Sequence, residues 1–320
     1  MKAFIVLTLI SLNSVCVFAQ TITSTNEWAL STNQWKIVLN ILGETGQPVP
    51  TAKISVSYGI PPAAQVTNTW GTVEGWTDSN GVFTASHLDT GSYSLGIRVT
   101  KDGYYDTQLG HDLGPSYQAD LWNAHVTLVL KNIVQPIPMD AKYVESGPPV
   151  FNEPVGYDLA IGDWVAPHGK GQTADIIFNG YLDKTSKNDF DYKLIVSFPK
   201  SGDGIQQFTV PDNEKNSVLR SPHEAPVDGY EPQVVRTMSR HPGKGTVEDM
   251  NDKNRNYFFR VRTVLDENGN VKSAQYGKIY GDFMQFRYYF NPTPNSRNIE
   301  FDPKHNLLSG LQSFEQVSAP

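Results

Sequence analysis

Arg260 and Arg262 stand two apart in the run Tyr257-Phe258-Phe259-Arg260-Val261-Arg262-Thr263-Val264-Leu265. Side chains two apart on a strand point to one face. Asp266-Glu267-Asn268-Gly269-Asn270 follows as a turn, and Val271 to Phe286 returns. With Asn268-Gly269 as the central pair of a two-residue hairpin turn, Arg262 lies opposite Gln275 and Arg260 opposite Gly277. Phe258, Arg260, Arg262 and Val264 then share a face with Ser273, Gln275, Gly277 and Ile279. Phe259, Val261, Ala274, Tyr276 and Tyr280 take the core face. Guanidinium forks beside polar and small residues suit carboxylate, sulfate or phosphate groups. Arg260, Arg262 and Gln275 are therefore candidate ligand-binding residues, for an acidic glycan or a peptide carboxylate. The competing reading is a solvated face whose arginines pair with acids of the 211–256 segment.

Other chemistry-bearing patterns fail on spacing. Gly169-Lys170-Gly171 has Trp164 and Gly171 where a phosphate loop needs Gly and Ser or Thr, so it reads as a turn. The seven histidines are His87, His111, His125, His168, His223, His241 and His305. None pairs with another at metal-ligand spacing; only His111-Asp112 and His223-Glu224 offer parts of a site assembled in space. Asp78-Ser79-Asn80-Gly81 and Asp266 to Asn270 lack the further oxygen ligands of a calcium loop. No Gly-x-Ser-x-Gly elbow occurs, and no carboxylate pair stands out. No metal and no cofactor is expected.

The chain has 320 residues and a formal net charge of −7. That length suits two domains, and mixed, mildly acidic charge gives no general attraction for nucleic acid. Lys2, the apolar Ala3 to Leu12 and then Val17-Phe18-Ala19 read as a secretory signal cut after Ala19, too short and broken for a transmembrane helix. The one cysteine, Cys16, leaves with that signal, so the mature chain has no disulfide. A lipid anchor at Cys16 is the alternative, against which Asn13-Ser14-Val15 fits a lipobox poorly. No later apolar stretch is long enough to span a bilayer as a helix.

Those residues must be positioned by strands. Short alternating runs punctuated by Gly, Pro, Asn and Asp predict an all-β chain. Residues 35–42, 53–58, 82–85, 93–99 and 125–130 read as strands of one small sandwich of about seven. Asn80-Gly81 is expected to form a type I′ hairpin turn. The set Gly46-x-Pro48-Val49, Ala52-x-Ile54-x-Val56, Thr77-Asp78-x-Asn80-Gly81-x-Phe83, Gly91-x-Tyr93-x-Leu95 and Gly103-Tyr104 resembles the carboxypeptidase regulatory-like domain. The resemblance covers residues near 35–131. It implies a transthyretin-like, or Ig-like, β-sandwich with an accessory role in exported proteins, and no catalytic residues. It departs at 105–123, an extra segment before the last strand. Trp70, Trp76, Tyr104 and Tyr105 stand near turns, where flat rings stack on sugars or peptides. Trp76 and Tyr104 belong to the structural pattern of the family; Trp70 and Tyr105 do not, and are the ligand-binding candidates here.

Residues 134–154 carry five of the prolines from Pro136 to Pro154 and read as a semi-rigid linker. The expected division is a signal at 1–19, an extension at 20–34, the sandwich at 35–133, that linker, a second β-rich domain at 155–308 and a tail at 309–320. In the second domain 174–182, 190–198 and 205–210 read as strands, and 211–256 as a long polar loop, a kind of segment often functional. Tyr276-Gly277-Lys278-x-Tyr280-Gly281-Asp282 and Asn291-Pro292-Thr293-Pro294-Asn295 are similar to the ends of other exported bacterial proteins, which implies no activity. The leading expectation is an exported, non-catalytic binding or surface-interaction protein, secreted, periplasmic or at the cell surface. Its partners are polysaccharide or a cell-envelope protein and not nucleic acid. The alternatives are a secreted hydrolase with its site near Arg260, Arg262 and the long loop, and a structural spacer.

Overall fold

The computed structural model describes residues 34–60, 69–88, 94–114, 119–248 and 255–320. The expected signal, Cys16, the extension up to 33 and the Gly91-to-Tyr93 motif lie outside the described residues. The chain is all-β. Its first module contains β1 (Gln34–Gly43), β2 (Lys53–Ile60), β3 (Thr69–Trp76), β4 (Val82–Leu88), β5 (Ser94–Thr100), β6 (Thr107–Asp112), a single helical turn α1 (Ala119–Trp122) and β7 (Asn123–Leu130). The rest contains β8 (Ile137–Val144), β9 (Pro154–Asp158), β10 (Asp163–Trp164), β11 (Ile176–Ser186), β12 (Asp189–Ser197), β13 (Gly204–Phe208), β14 (Gln233–Arg240), β15 (Thr246–Glu248), β16 (Asn256–Leu265), β17 (Val271–Asp282), β18 (Gln285–Asn291) and β19 (Phe301–Asn306).

In the first module the sheet β4-β1-β7 faces the sheet β3-β2-β5-β6. Period-two alternation aims Trp35, Ile37, Leu39 and Ile41 of β1 at Ile54, Val56 and Tyr58 of β2 and Leu95, Ile97 and Val99 of β5, all buried. Each such side chain contributes roughly 1.5–3 kcal/mol by leaving water. The turn at Asp78 to Gly81 differs from the type I′ hairpin expected of it. β3 pairs with β2 and β4 with β1, so the turn carries the chain from one sheet to the other. The Asp78 carboxylate accepts the amides of Asn80 and Val82, and Gly81 alone takes a positive φ, 73°. The segment after Tyr105 supplies the edge strand β6 and α1.

The second module packs β10-β9-β11-β12-β14-β15 against β13-β16-β17-β18-β8-β19. Phe178, Leu194 and Val196 of one sheet meet Phe259, Val261, Phe286 and Phe290 of the other. Two stretches read as connection are strands. Residues 137–144 form β8, between β18 and β19, and 233–240 form β14, paired along its length with β12.

The first part of the long polar segment is a strap between the modules. The Gln108 amide donates to Asn216 O, Val218 N to Asp106 O and Val129 N to Asn213 O, at 2.9–3.0 Å. Beneath it, the buried Lys131 ammonium lies 2.8 Å from Glu214 and 3.1 Å from Ser221 O. Lys278, fully buried, donates to Ser221 Oγ at 3.0 Å, and its burial holds the amine well below its ordinary pKa.

Candidate functional site

The hairpin turn sets where the arginines go. Asp266 Oδ1 accepts the amides of Asn268 and Asn270, Gly269 N donates to Asp266 O, and Gly269 sits at φ 81°. The turn therefore centres on Glu267-Asn268, with Gly269 as an extra left-handed residue. The ladder is displaced by one residue from the expected register: Arg260 lies opposite Tyr276, Val261 opposite Gln275 and Phe258 opposite Lys278. One residue of slip exchanges the faces. Ala274 and Tyr276 join Phe258 in an outer cluster, while Gln275 lies on the Val261 side and donates to Pro292 O.

A second irregularity separates the arginines. The pairing shifts between Val261 and Val264, and Arg262 takes a left-handed φ of 55°. Asp203 caps this bulge, accepting the amides of Arg262 (3.2 Å) and Thr263 (2.8 Å). Arg260 stays on the outer face, where it donates to Gly202 O and Val227 O and lies 4.7 Å over the Tyr230 ring. Arg262 turns the other way, 5.2 Å over the Phe290 ring of the core. Its fork takes both oxygens of Asp175 at 2.8 and 2.9 Å and reaches Asp158 at 3.3 Å. Both carboxylates are almost wholly buried, 1% and 3% exposed. They also accept amides of the 158–175 loop: Leu159 on Asp175, and Gln172 and Thr173 on Asp158. The structure does not bring Arg260, Arg262 and Gln275 to one surface. Arg260 pairs with carbonyls of the neighbouring loops, and Arg262 organises a buried acidic loop.

Asp140 of β8 lies near this network and is 6% exposed. Burial pushes its carboxyl up to about 6; the Arg262 charge opposes that rise and Asp158 adds to it. An acid raised in the folded state destabilises the fold as pH climbs through the unfolded and then the folded pKa, and fully above both. Asp140→Asn is expected to match the parent at pH 3.5 and to be about 2–3 kcal/mol more stable at pH 8, read from urea midpoints at the two pH values. Equal gains at both pH values would count against it.

Tyr105, nominated as a stacking residue, is buried between the modules. Its hydroxyl donates to Glu300 Oε1 at 2.7 Å, across 195 residues of sequence. Glu300 also accepts the amides of Val134 (2.9 Å) and Gln135 (2.7 Å). Burial alone would raise its carboxyl; those three bonds outweigh it and hold the group below its ordinary value. His223 spans the same seam, 3.3 Å from Glu300 and 3.2 Å from Glu44 of the first module. Its neighbour Glu224 pairs instead with Arg297. His111 bonds Leu121 O. Among the described residues no three His, Cys, Asp or Glu are grouped to hold a metal.

The tryptophans make the surface feature that the arginines do not. β3 is an edge strand and its alternation is sharp. Gly71 and Gly75 face inward, where a Cβ would stand 2.2 Å from the Tyr58 ring and 2.3 Å from Phe83, so only glycine lets those rings seat. Trp70, Thr72, Glu74 and Trp76 therefore face outward. Trp70 and Trp76 are each 65% exposed. Trp76, placed with the structural pattern on sequence, is a surface residue. Six residues of strand set the two indoles roughly 20 Å apart. Beside β3 the same face carries Ser55 and Ser57, then Gly96 and Arg98, then Gln108 and Gly110, lining a trough of about 500 Å³. Arg98 is fixed by Asp106 at 2.6 Å.

No family model matches the chain, and none of the curated proteins does. Among solved structures it is similar to 3-chlorocatechol 1,2-dioxygenase from Rhodococcus opacus 1CP, at 13% identity and a TM-score of 0.25, over 32% of this chain and 62% of the dioxygenase. The chain thus spans less than two thirds of that enzyme. It is similar to the shaft pilin spaA from Lactobacillus rhamnosus GG at 14% identity and TM-score 0.23, over 53% and 90% of the two chains. A putative membrane-associated protein of unknown function from Bacteroides fragilis NCTC 9343 has 11% identity and TM-score 0.20, over 81% and 98%. Likenesses of this strength carry no inference about ligand or activity.

Proposed function

We propose that the chain is an exported, non-catalytic surface-interaction protein whose first module binds polysaccharide on the outer face of β3-β2-β5-β6. The observation that carries this reading is the pair Trp70 and Trp76, both exposed on one side of an edge strand and flanked by a polar, small-residue trough. Large exposed indoles rimmed by polar groups mark interaction surfaces. Sugar rings offer an apolar face to stack on indole and hydroxyls for Ser55, Ser57, Arg98 and Gln108 to bond. The first module is read as a carboxypeptidase regulatory-like sandwich. Its seven strands and the left-handed glycines Gly81 and Gly103 support that. The engagement of Arg260 and Arg262 by internal partners favours binding over a hydrolase centred on them.

The test is affinity electrophoresis and pull-down of the mature protein against a panel of soluble and insoluble polysaccharides. At least one is expected to retain the protein. W70A and W76A should each weaken that binding about tenfold, near 1.4 kcal/mol per stacked ring. Retention by none, or retention untouched in the double variant, would sink the reading.

A further inference from the structure

The second module carries an open groove at the far end of its β11-β12-β14 sheet. Register places four rows on the inward face of these strands: Phe178–Val196–Val234, Gly180–Leu194–Arg236, Leu182–Tyr192–Met238 and Lys184–Phe190–Arg240. The first row and Leu194 of the second pack into the core. The third row and, from the fourth, Lys184 and Phe190, with Phe151 and Met284, line a groove of about 250 Å³ whose walls are mostly apolar. Phe151 is 43% exposed, and Leu182, Phe190, Met238 and Met284 are half-buried.

Alternation also sorts the charges. Asp183 and Asp191 are register partners and point to the opposite face. Lys184 lines the groove, and Lys187 joins it from the adjoining turn. Asp189 is taken up by Thr185 (2.6 Å) and His241 (3.0 Å). Among the described residues neither Lys184 nor Lys187 has an ion-pair partner. At the groove wall Tyr192 is 5% exposed, and among the described residues its hydroxyl has no hydrogen-bond partner. Burial of an unbonded hydroxyl is costly unless something meets it.

We propose that this groove binds a small amphipathic anion: a carboxylate with a short aliphatic body. The body fills the space between Phe151, Leu182, Met238 and Met284, and the carboxylate is met at the rim by Lys184 and Lys187. The volume is that of a small molecule and falls short of a protein segment. The rim charge selects an anion over a neutral chain of the same length.

The test uses the full mature chain labelled with ¹³C at the methionine methyls, and octanoate and octan-1-ol as probes. M238L and M284L assign the two reporters. Octanoate is expected to shift both methyls saturably, and octan-1-ol to bind at least tenfold more weakly. K184Q/K187Q, on an exposed hairpin end, should lower octanoate affinity at least fivefold and leave octan-1-ol unchanged. Three results overturn the proposal. One is no saturable shift at either methyl. Another is equal affinity for acid and alcohol. The third is shifts that follow protein concentration instead of octanoate, which would make the occupant a second copy of the chain.

Discussion

Arg262→Ala is expected to lower the unfolding free energy by about 3–5 kcal/mol, the cost of leaving buried charges without their partner. Asp175 and Asp158 are nearly inaccessible, and among the described residues the guanidinium is the only cation bonded to either. The left-handed backbone at 262 lets the cause be separated. Alanine carries a strain of roughly 1 kcal/mol at positive φ that glycine does not, so Arg262→Gly should be the milder of the two by that amount. Arg262→Lys keeps the charge but loses the fork that spans both Asp175 oxygens, and should fall between parent and Ala. Adding Asp175→Asn to Arg262→Ala should recover part of the loss, because one uncompensated charge disappears. Urea unfolding at pH 7 measures all four. A loss under 1 kcal/mol for Arg262→Ala would mean that water reaches the carboxylates after all.

Strands whose inward residues are large and apolar were legible in the sequence. Ile37, Leu39 and Ile41, or Tyr192, Leu194 and Val196, declare their face by alternation alone. β3 was not legible, because its inward positions include Gly71 and Gly75, which receive rings from Tyr58 and Phe83 and contribute none. β14 was hidden for a related reason: one of its inward positions is Arg236, buried by bonding the Tyr257 hydroxyl. The second hairpin was legible as a hairpin but not in register. Asn-Gly suggested a two-residue turn, whereas the Asp266 carboxylate builds the turn one residue earlier and makes Gly269 the extra residue. That single step removed Gln275 from the arginine face, and the bulge at Arg262 divided the arginines themselves. Composition could nominate the residues; only backbone geometry decided whether they met. The aromatic candidates divided for the same reason. Trp70 stayed on the surface, while Tyr105, next to a turn in sequence, is covered by a module that begins more than thirty residues later.

Glu300→Ala is expected to uncouple the two modules and to remove about 3–5 kcal/mol from the stability of the seam. One carboxylate serves Tyr105 from the first module and Val134 and Gln135 from the connection. Truncation leaves the buried Tyr105 hydroxyl without its acceptor and frees the amides of Val134 and Gln135, which belong to exposed residues. Glu300→Gln keeps the shape and one carbonyl oxygen, so it should retain the Tyr105 and Val134 bonds on Oε1 and lose the one from Gln135. The strap bonds at Asn213, Asn216 and Val218 remain in both variants. The modules should therefore stay tethered but unfold separately: one urea transition in the parent becomes two in Glu300→Ala. If Glu300→Ala still unfolds in a single transition at the parent midpoint, the modules are joined by the strap alone and Glu300 is no linchpin. If it unfolds in two, an early and a late step report the modules one at a time, and the tryptophan face and the groove can each be assigned to its own transition by adding ligand.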